Sequence, residues 1–172
     1  AREVVGKMRH PLIGVSWLGG TKQTRVQNRS LSAQVVKDLV GPYGTPISLQ
    51  YGMYADVEAD AAGLIRLGEW TDGTDLEKLA AMVMVLDGVV SVCTTLIHLT
   101  GALGKKAHIL TPLRASWRYG LKSGPGAMAW YPQHVLHRQE TAGEWAPVLA
   151  EGTLEDSAVR YPWHGSLFSL ED

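Results

Sequence analysis

Short β-rich runs alternate with helical ones along most of this chain. Leu12 to Trp17 is mostly apolar and reads as a buried strand that ends in the turn Leu18-Gly19-Gly20. A polar loop follows, Thr21 to Arg29, and Ser30 or Ser32 caps a helix running through Val40 to the stop at Gly41-Pro42. Ile47 to Gln50 reads as the next strand, and Leu64 to Leu67 as a short third one with a faintly marked helix before it. Thr74-Asp75-Leu76-Glu77 has the form of a capping box with Thr74 as the cap. The helix it opens reaches Leu86, with Leu76, Leu79, Ala80 and Val83 on one stripe. Gly88 to Val92 is continuous and rich in β-branched residues, as a strand covered on both faces should be. Thr94 to Leu103 is helical, Gly104 closes that helix, and Ala107 to Leu110 is another strand.

Strands alternating with helices in this way predict a parallel sheet wound on both faces, a Rossmann-like α/β/α sandwich of about six strands. The domain is expected over residues 12–160, with a lead-in at 1–11 and a tail at 161–172. From Thr111 the pattern changes. Trp117, Trp130, Tyr131 and Trp145 stand among Gly and Pro, with a short strand near Val135 to His137 and short helices over Trp145–Ala150 and Leu154–Val159. In open α/β sheets ligands bind beyond the carboxyl ends of the strands. That rule selects four loops: Leu18 to Arg29, Gln50 to Tyr54, Cys93 to His98, and Pro112 to Tyr119.

Composition narrows the function classes. A length of 172 residues suits one domain with a buried core. Sixteen basic residues against seventeen acidic ones, with no basic stripe, argue against a nucleic-acid partner. A single cysteine, Cys93, excludes an internal disulfide framework and fits a reducing compartment. The histidines show no metal-ligand spacing, so no metal site is expected. The most apolar stretch, Leu79 to Leu103, is broken by Asp87, Gly88, Thr94, Thr95 and His98 and does not read as a membrane span. The first residues lack the apolar core of a signal peptide, and a start at Ala1 rather than Met suggests an excised or processed piece.

The most informative segment is Asp87 to Lys106, where a buried strand feeds two hydroxyl residues into a helix start. The first turn of a helix has free N–H groups and the positive end of its dipole, which together suit a diphosphate. Thr94 and Thr95 add hydroxyl donors there, and His98 follows one turn later on the same face. On the residues alone the plainer reading prevails, in which Thr94 is a cap and His98 a satisfied core histidine. In the first loop Gly19 and Gly20 let backbone approach a ligand, and Lys22, Arg25 and Arg29 offset phosphate charge. A solvated loop is the equal alternative for Lys22 and Arg25. Gln50, Tyr51, Trp117 and Arg118 are candidates to wall a nucleoside, with packing as the alternative for the aromatics.

Thr94, His98, Leu99, Gly101, Ala102, Leu103, Gly104 and Lys105 fall in register with a motif of heptosyltransferase-like and tetratricopeptide-linked bacterial glycosyltransferases, which this chain resembles. Leu12 to Gly20 with its Trp17, Arg29-Ser30, Ser48-Leu49-Gln50, Trp117-Arg118, Trp130-Tyr131-Pro132, Arg138-Gln139 and Gly143-Glu144-Trp145 match further landmarks in order. The resemblance implies the C-terminal half of a GT-B fold that binds a nucleotide-diphosphate sugar as donor substrate, without a metal or other cofactor. Its partner would be a missing N-terminal GT-B domain or a repeat domain, in the cytoplasm or peripheral to the inner membrane. Alone, the chain is expected to be inactive, and a scaffold module with a degenerate donor site is the rival reading. Two departures bear on this. Cys93 stands where the family pattern has Asp, although Cys-Thr-Thr is similar to the His-Thr-Thr of O-linked N-acetylglucosamine transferases. Tyr51 stands where relatives often have Lys.

Overall fold

The computed structural model describes residues 1–20, 23, 26–52, 54–150 and 154. Its elements are α1 (Arg2–Val5), β1 (Leu12–Ser16), α2 (Ala33–Val40), β2 (Thr45–Ser48), α3 (Ala55–Ala62) and α4 (Leu76–Val85). Then come β3 (Gly88–Val92), α5 (Thr95–Ala102), β4 (Ala107–Thr111), β5 (Gly124–Pro125) and β6 (Val135–Arg138). One sheet of order β2-β1-β3-β4-β6-β5 runs through the domain, parallel except for the two-residue β5. This is the Rossmann-like α/β architecture expected from the alternation of elements.

Both faces of the inner strands are covered, and every position of β1, β3 and β4 is buried, which is why their sequences are mostly apolar rather than alternating. Leu12, Val89, Ala107 and Ile109 face the layer built by α4 and α5. Ile13, Val15, Val90, Val92 and Leu110 face Ala33, Val36 and Ala59 of α2 and α3, and Val148 of the chain's last described turn. Two histidine arrangements tie polar groups into the sheet. His134 accepts from the Ala107 amide through Nδ1 and donates from Nε2 to the Ile97 carbonyl, 3.1 Å each, tying α5 to β4. His108 and His137 lie side by side on β4 and β6 with Nδ1 and Nε2 2.9 Å apart. Burial holds their imidazoles neutral, with pKa values lowered to about 3 and about 4.

The helix ends follow local chemistry. Ser32, not Ser30, caps α2 by accepting from the Val35 amide. Gly104 (φ 71°) follows α5 in the left-handed conformation, and Lys105 N reaches back to Thr100 O to close the last turn. The capping box at α4 is corrected. Thr74 is drawn away by Asp72, whose Oδ1 accepts from both its amide and its hydroxyl at 2.9 and 2.6 Å. Asp75 takes the cap instead, accepting from Glu77 N at 2.9 Å and Lys78 N at 3.1 Å. The buried stripe is accordingly Leu79, Met82 and Val83, while Leu76 is 61% exposed.

The second strand starts two residues earlier than expected and ends at Ser48. The expected strand over Leu64–Leu67 shrinks to one parallel bridge, Ile47 to Ile65, on the outer side of β2. The terminal helix over Leu154–Val159 and the tail at 161–172 fall outside the described residues except for Leu154. Among the described residues no helix is long and apolar enough to cross a membrane.

Replacing Asp75 by Ala should lower stability by about 1 kcal/mol, the usual effect of deleting a side-chain cap. Thr74→Ala should stay within about 0.5 kcal/mol of wild type, as an ordinary surface change does. Urea midpoints at constant m-value distinguish the two, and equal losses would restore Thr74 as the cap.

Candidate functional site

The strand order reverses at the centre of the sheet. The chain leaves β1 through α2 toward β2 on one side, and leaves β3 through α5 toward β4 on the other. Loops diverging in this way leave a crevice at the carboxyl ends of β1 and β3. A cavity of about 550 Å³ occupies that position.

Each wall comes from a different loop. The β1 loop gives Leu18, Gly20, Val26 and Arg29; the end of β2 gives Gln50 and Tyr51. The start of α5 gives Cys93, Thr94, Thr95 and His98, and the turn after β4 gives Arg118 and Tyr119. Of the residues singled out in the sequence, Gly20, Arg29, Gln50, Tyr51, Thr94, Thr95, His98 and Arg118 therefore meet around one cavity. Lys22 and Arg25 lie outside the described residues.

Thr94 is the N-cap residue of α5, yet its side chain makes no capping bond. Its hydroxyl faces Ser91 Oγ at 3.3 Å. Side chains cap α2 and α4 but not α1, α3 or α5, and of the three uncapped helices it is α5 whose first residues line the cavity. First-turn amides have no partner within their own helix. Arg29 stands across from them. One of its terminal nitrogens, Nη2, donates to the Cys93 carbonyl at 3.5 Å, while its buried Nε has no partner. Together with Arg118 it gives the cavity two guanidinium groups, and no carboxylate is among the described lining residues.

Other candidates serve the walls rather than the space. Gly19 is buried, and its amide donates to Ser30 Oγ at 3.0 Å. A Cβ there would come within 3.0 Å of Cys93 O and 3.1 Å of Val92 Cγ2, so the bare backbone lets the β1 loop lie against the end of β3. Gln50 is committed to the fold. Its Oε1 accepts from Ser16 Oγ, Trp17 N and Leu18 N at 2.8, 3.0 and 2.9 Å, and its Nε2 donates to Tyr51 O at 2.9 Å. Trp117 is 73% exposed and does not line the cavity; it meets Trp130 at 6.1 Å between ring centroids, with the Arg118 guanidinium 5.8 Å above its ring.

The ionisable groups are shaped by burial. The Cys93 thiol is pushed up to about 11 by desolvation, which outweighs the opposing pull of Arg29. Burial first, and the Arg118 charge second, lower the pKa of His98 below its usual value. Its ring lies between Tyr119 and Tyr131, 5.9 Å from each centroid, and as a neutral imidazole it has one donor and one acceptor nitrogen. Burial likewise raises the Tyr119 phenol, with Cys93 beside it. Leu18, Val26 and Tyr119 lie in the loops that the strand-end rule selects, but nothing in the sequence marks them individually as lining residues. The Trp117–Tyr119 turn is a single 3-10 turn that sends its side chains in different directions, so proximity to Trp117 was a poor guide.

Arg138 holds that turn in place from beneath. Its guanidinium donates to the carbonyls of Pro112 and Leu113 at 3.3 and 3.4 Å, and of Tyr119 and Gly120 at 2.9 and 2.8 Å. Among the described residues no cluster of three or more His, Cys, Asp or Glu is placed to hold a metal ion. Comparison with protein-family models, with curated proteins and with solved structures gives no match for this chain.

The Cys93 thiol should resist iodoacetamide in the native protein at pH 8 and react on unfolding, which intact mass spectrometry reads directly. Its raised folded-state pKa also sets a sign. The unfolded thiol loses its proton near its ordinary 9.0 while the folded one keeps it to about 11, so this contribution to stability is whole below pH 9 and declines as the pH rises toward 11. Cys93→Ala should flatten that alkaline decline in denaturation midpoints. An unchanged slope would show that the thiol does not titrate in that window.

Proposed function

We propose that the central cavity holds the diphosphate of a nucleotide-diphosphate sugar, and that the chain is the donor-binding half of a glycosyltransferase whose acceptor site lies on another domain. The observation that carries this reading is the meeting, in one crevice, of the uncapped α5 start, Gly20 and the Arg29 guanidinium. Helix-start amides bind anions through their free N–H groups and dipole, and a guanidinium adds charge and directed donors. The volume of about 550 Å³ lies within the range of small-molecule sites.

In this reading Thr94 and Thr95 donate to phosphate oxygens from the helix start, and Arg29 faces them from the β1 loop. A leaving diphosphate develops negative charge as the glycosidic bond to the donor breaks. Fixed amides and a cation stabilise that charge without reorganising at the moment of reaction. His98, uncharged near neutral pH, orients a sugar hydroxyl. Tyr51 and Arg118 border the nucleoside, and Gln50 supports that wall through backbone bonds rather than by touching the base. The resemblance to heptosyltransferase-like and repeat-linked enzymes in the segment Thr94 to Lys105 agrees with this assignment of the site.

A second reading has a specific observation behind it. Cys93, where the resembled pattern has Asp, is buried and protonated at neutral pH, and no carboxylate lines the cavity among the described residues. A binding module that keeps the nucleotide without transferring its sugar accounts for that equally well.

A panel of UDP-, ADP-, GDP- and CDP-sugars should include one that raises Tm. At a hundredfold excess over Kd the stabilisation is about 2.7 kcal/mol, or about 5–10 °C for a domain of this size. Thr94→Val should weaken that ligand by about tenfold or more, the loss of a hydrogen bond to a charged group. No shift with any nucleotide sugar removes the donor reading. Binding without sugar transfer, once the complementary domain is supplied, selects the module.

A further inference from the structure

We propose that a second, smaller pocket beside the central cavity is a subsite for an oxyanion, a carboxylate or phosphate group. This pocket, about 250 Å³, lies between Asn28 and Arg29 after β1, Pro112 to Arg114 after β4, and Gln139 after β6. It is smaller than the roughly 300–1,000 Å³ of sites that enclose whole ligands, and suits one charged group.

Gln139 is the residue that points to a ligand. It is 2% exposed. Its Oε1 accepts from Leu113 N at 3.2 Å and Gly143 N at 3.3 Å, which fixes the orientation of the amide. The Nε2 donor is thereby left over, buried and without a partner. Arg29, which lines the same pocket, has a second such donor in its Nε. Buried donors in folded proteins are nearly always paired, so two unmet ones around one small pocket mark where acceptor oxygens are missing. The Arg114 guanidinium adds positive charge, and no carboxylate lines the pocket among the described residues. Unpaired donors and positive charge, with no carboxylate among the described lining residues, favour an anion with several acceptor oxygens.

Gln139 and Arg114 do not line the larger cavity, so variants at these two positions test the subsite apart from the donor reading. Arg29 is common to both.

The test is a titration of the full chain, ¹⁵N-labelled, with inorganic phosphate and separately with acetate. Saturable shifts are expected at the Leu113 and Gly143 amides, the two that bond to Gln139. Gln139→Glu keeps an acceptor for those amides and replaces the donor by a charged oxygen. It should weaken binding at least tenfold. Arg114→Ala changes an exposed side chain, so it keeps the test open should Gln139→Glu fail to fold. It should weaken binding severalfold and leave the affinity for a nucleotide-diphosphate sugar unchanged. A response to phosphate alone or to acetate alone supports the subsite and names its ligand class. Absence of saturable shifts at those amides with both anions, or equal affinity in wild type and both variants, overturns the proposal.

Discussion

Parallel strands must be joined by crossovers that pass over a face of the sheet, and two crossovers leaving neighbouring strands in opposite directions cannot cover the seam between them. The remaining features of the site follow from that constraint. At the seam between β1 and β3 the chain provides a strand-end turn, Gly19-Gly20, and a helix start, Thr94-Thr95, at the same height. Neither loop can shield the other. Polar backbone groups therefore reach a concave surface in the middle of an otherwise apolar domain.

What keeps the seam open is a set of side chains that bond to backbone. The Gln50 carbonyl gathers donors from the end of β1 and so ties the loops after β1 and β2 together. Arg138 does the same from the other side, gathering four carbonyls from the segments that follow β4. Both are polar residues that a search for ligand contacts favours, and both have their main bonds within the protein. Arg29 differs from them. It offers one contact to Cys93 O, keeps its Nε unpaired, and lines both the larger and the smaller pocket.

The sequence was most legible where one physical cause acts alone. The run Gly88–Val92 is buried on both faces and nothing else competes, so its limits could be read directly. Gly104 was legible, and the cap of α2 was narrowed to Ser30 or Ser32, because a left-handed residue and a cap depend on a few neighbouring atoms. Legibility failed where two local partners compete. Thr74 sits between Asp72 and the helix it was expected to cap, and the carboxylate won. It also failed where distant segments meet. Nothing in the local pattern tells that Gln50 turns back toward Trp17, that Trp117 points to solvent, or that Tyr119 joins Cys93 at the cavity. The outer strand at Leu64–Leu67 reads as a strand in composition, yet only Ile65 reaches β2. Cavity walls are long-range objects, and so their membership was only partly visible.

The two margins of the sheet have a consequence of a different kind. At one margin β2 carries Pro46, which has no amide to offer, and the Ser48 amide is already taken by Ile65 O. At the other, β6 is covered by a two-residue strand that ends in Pro125. Exposed strand edges are where separate molecules join to form aggregates, and proline together with very short strands blocks that route. This chain is thereby protected against stacking edge to edge with copies of itself, even though the interior of its sheet is built from strongly β-forming sequence.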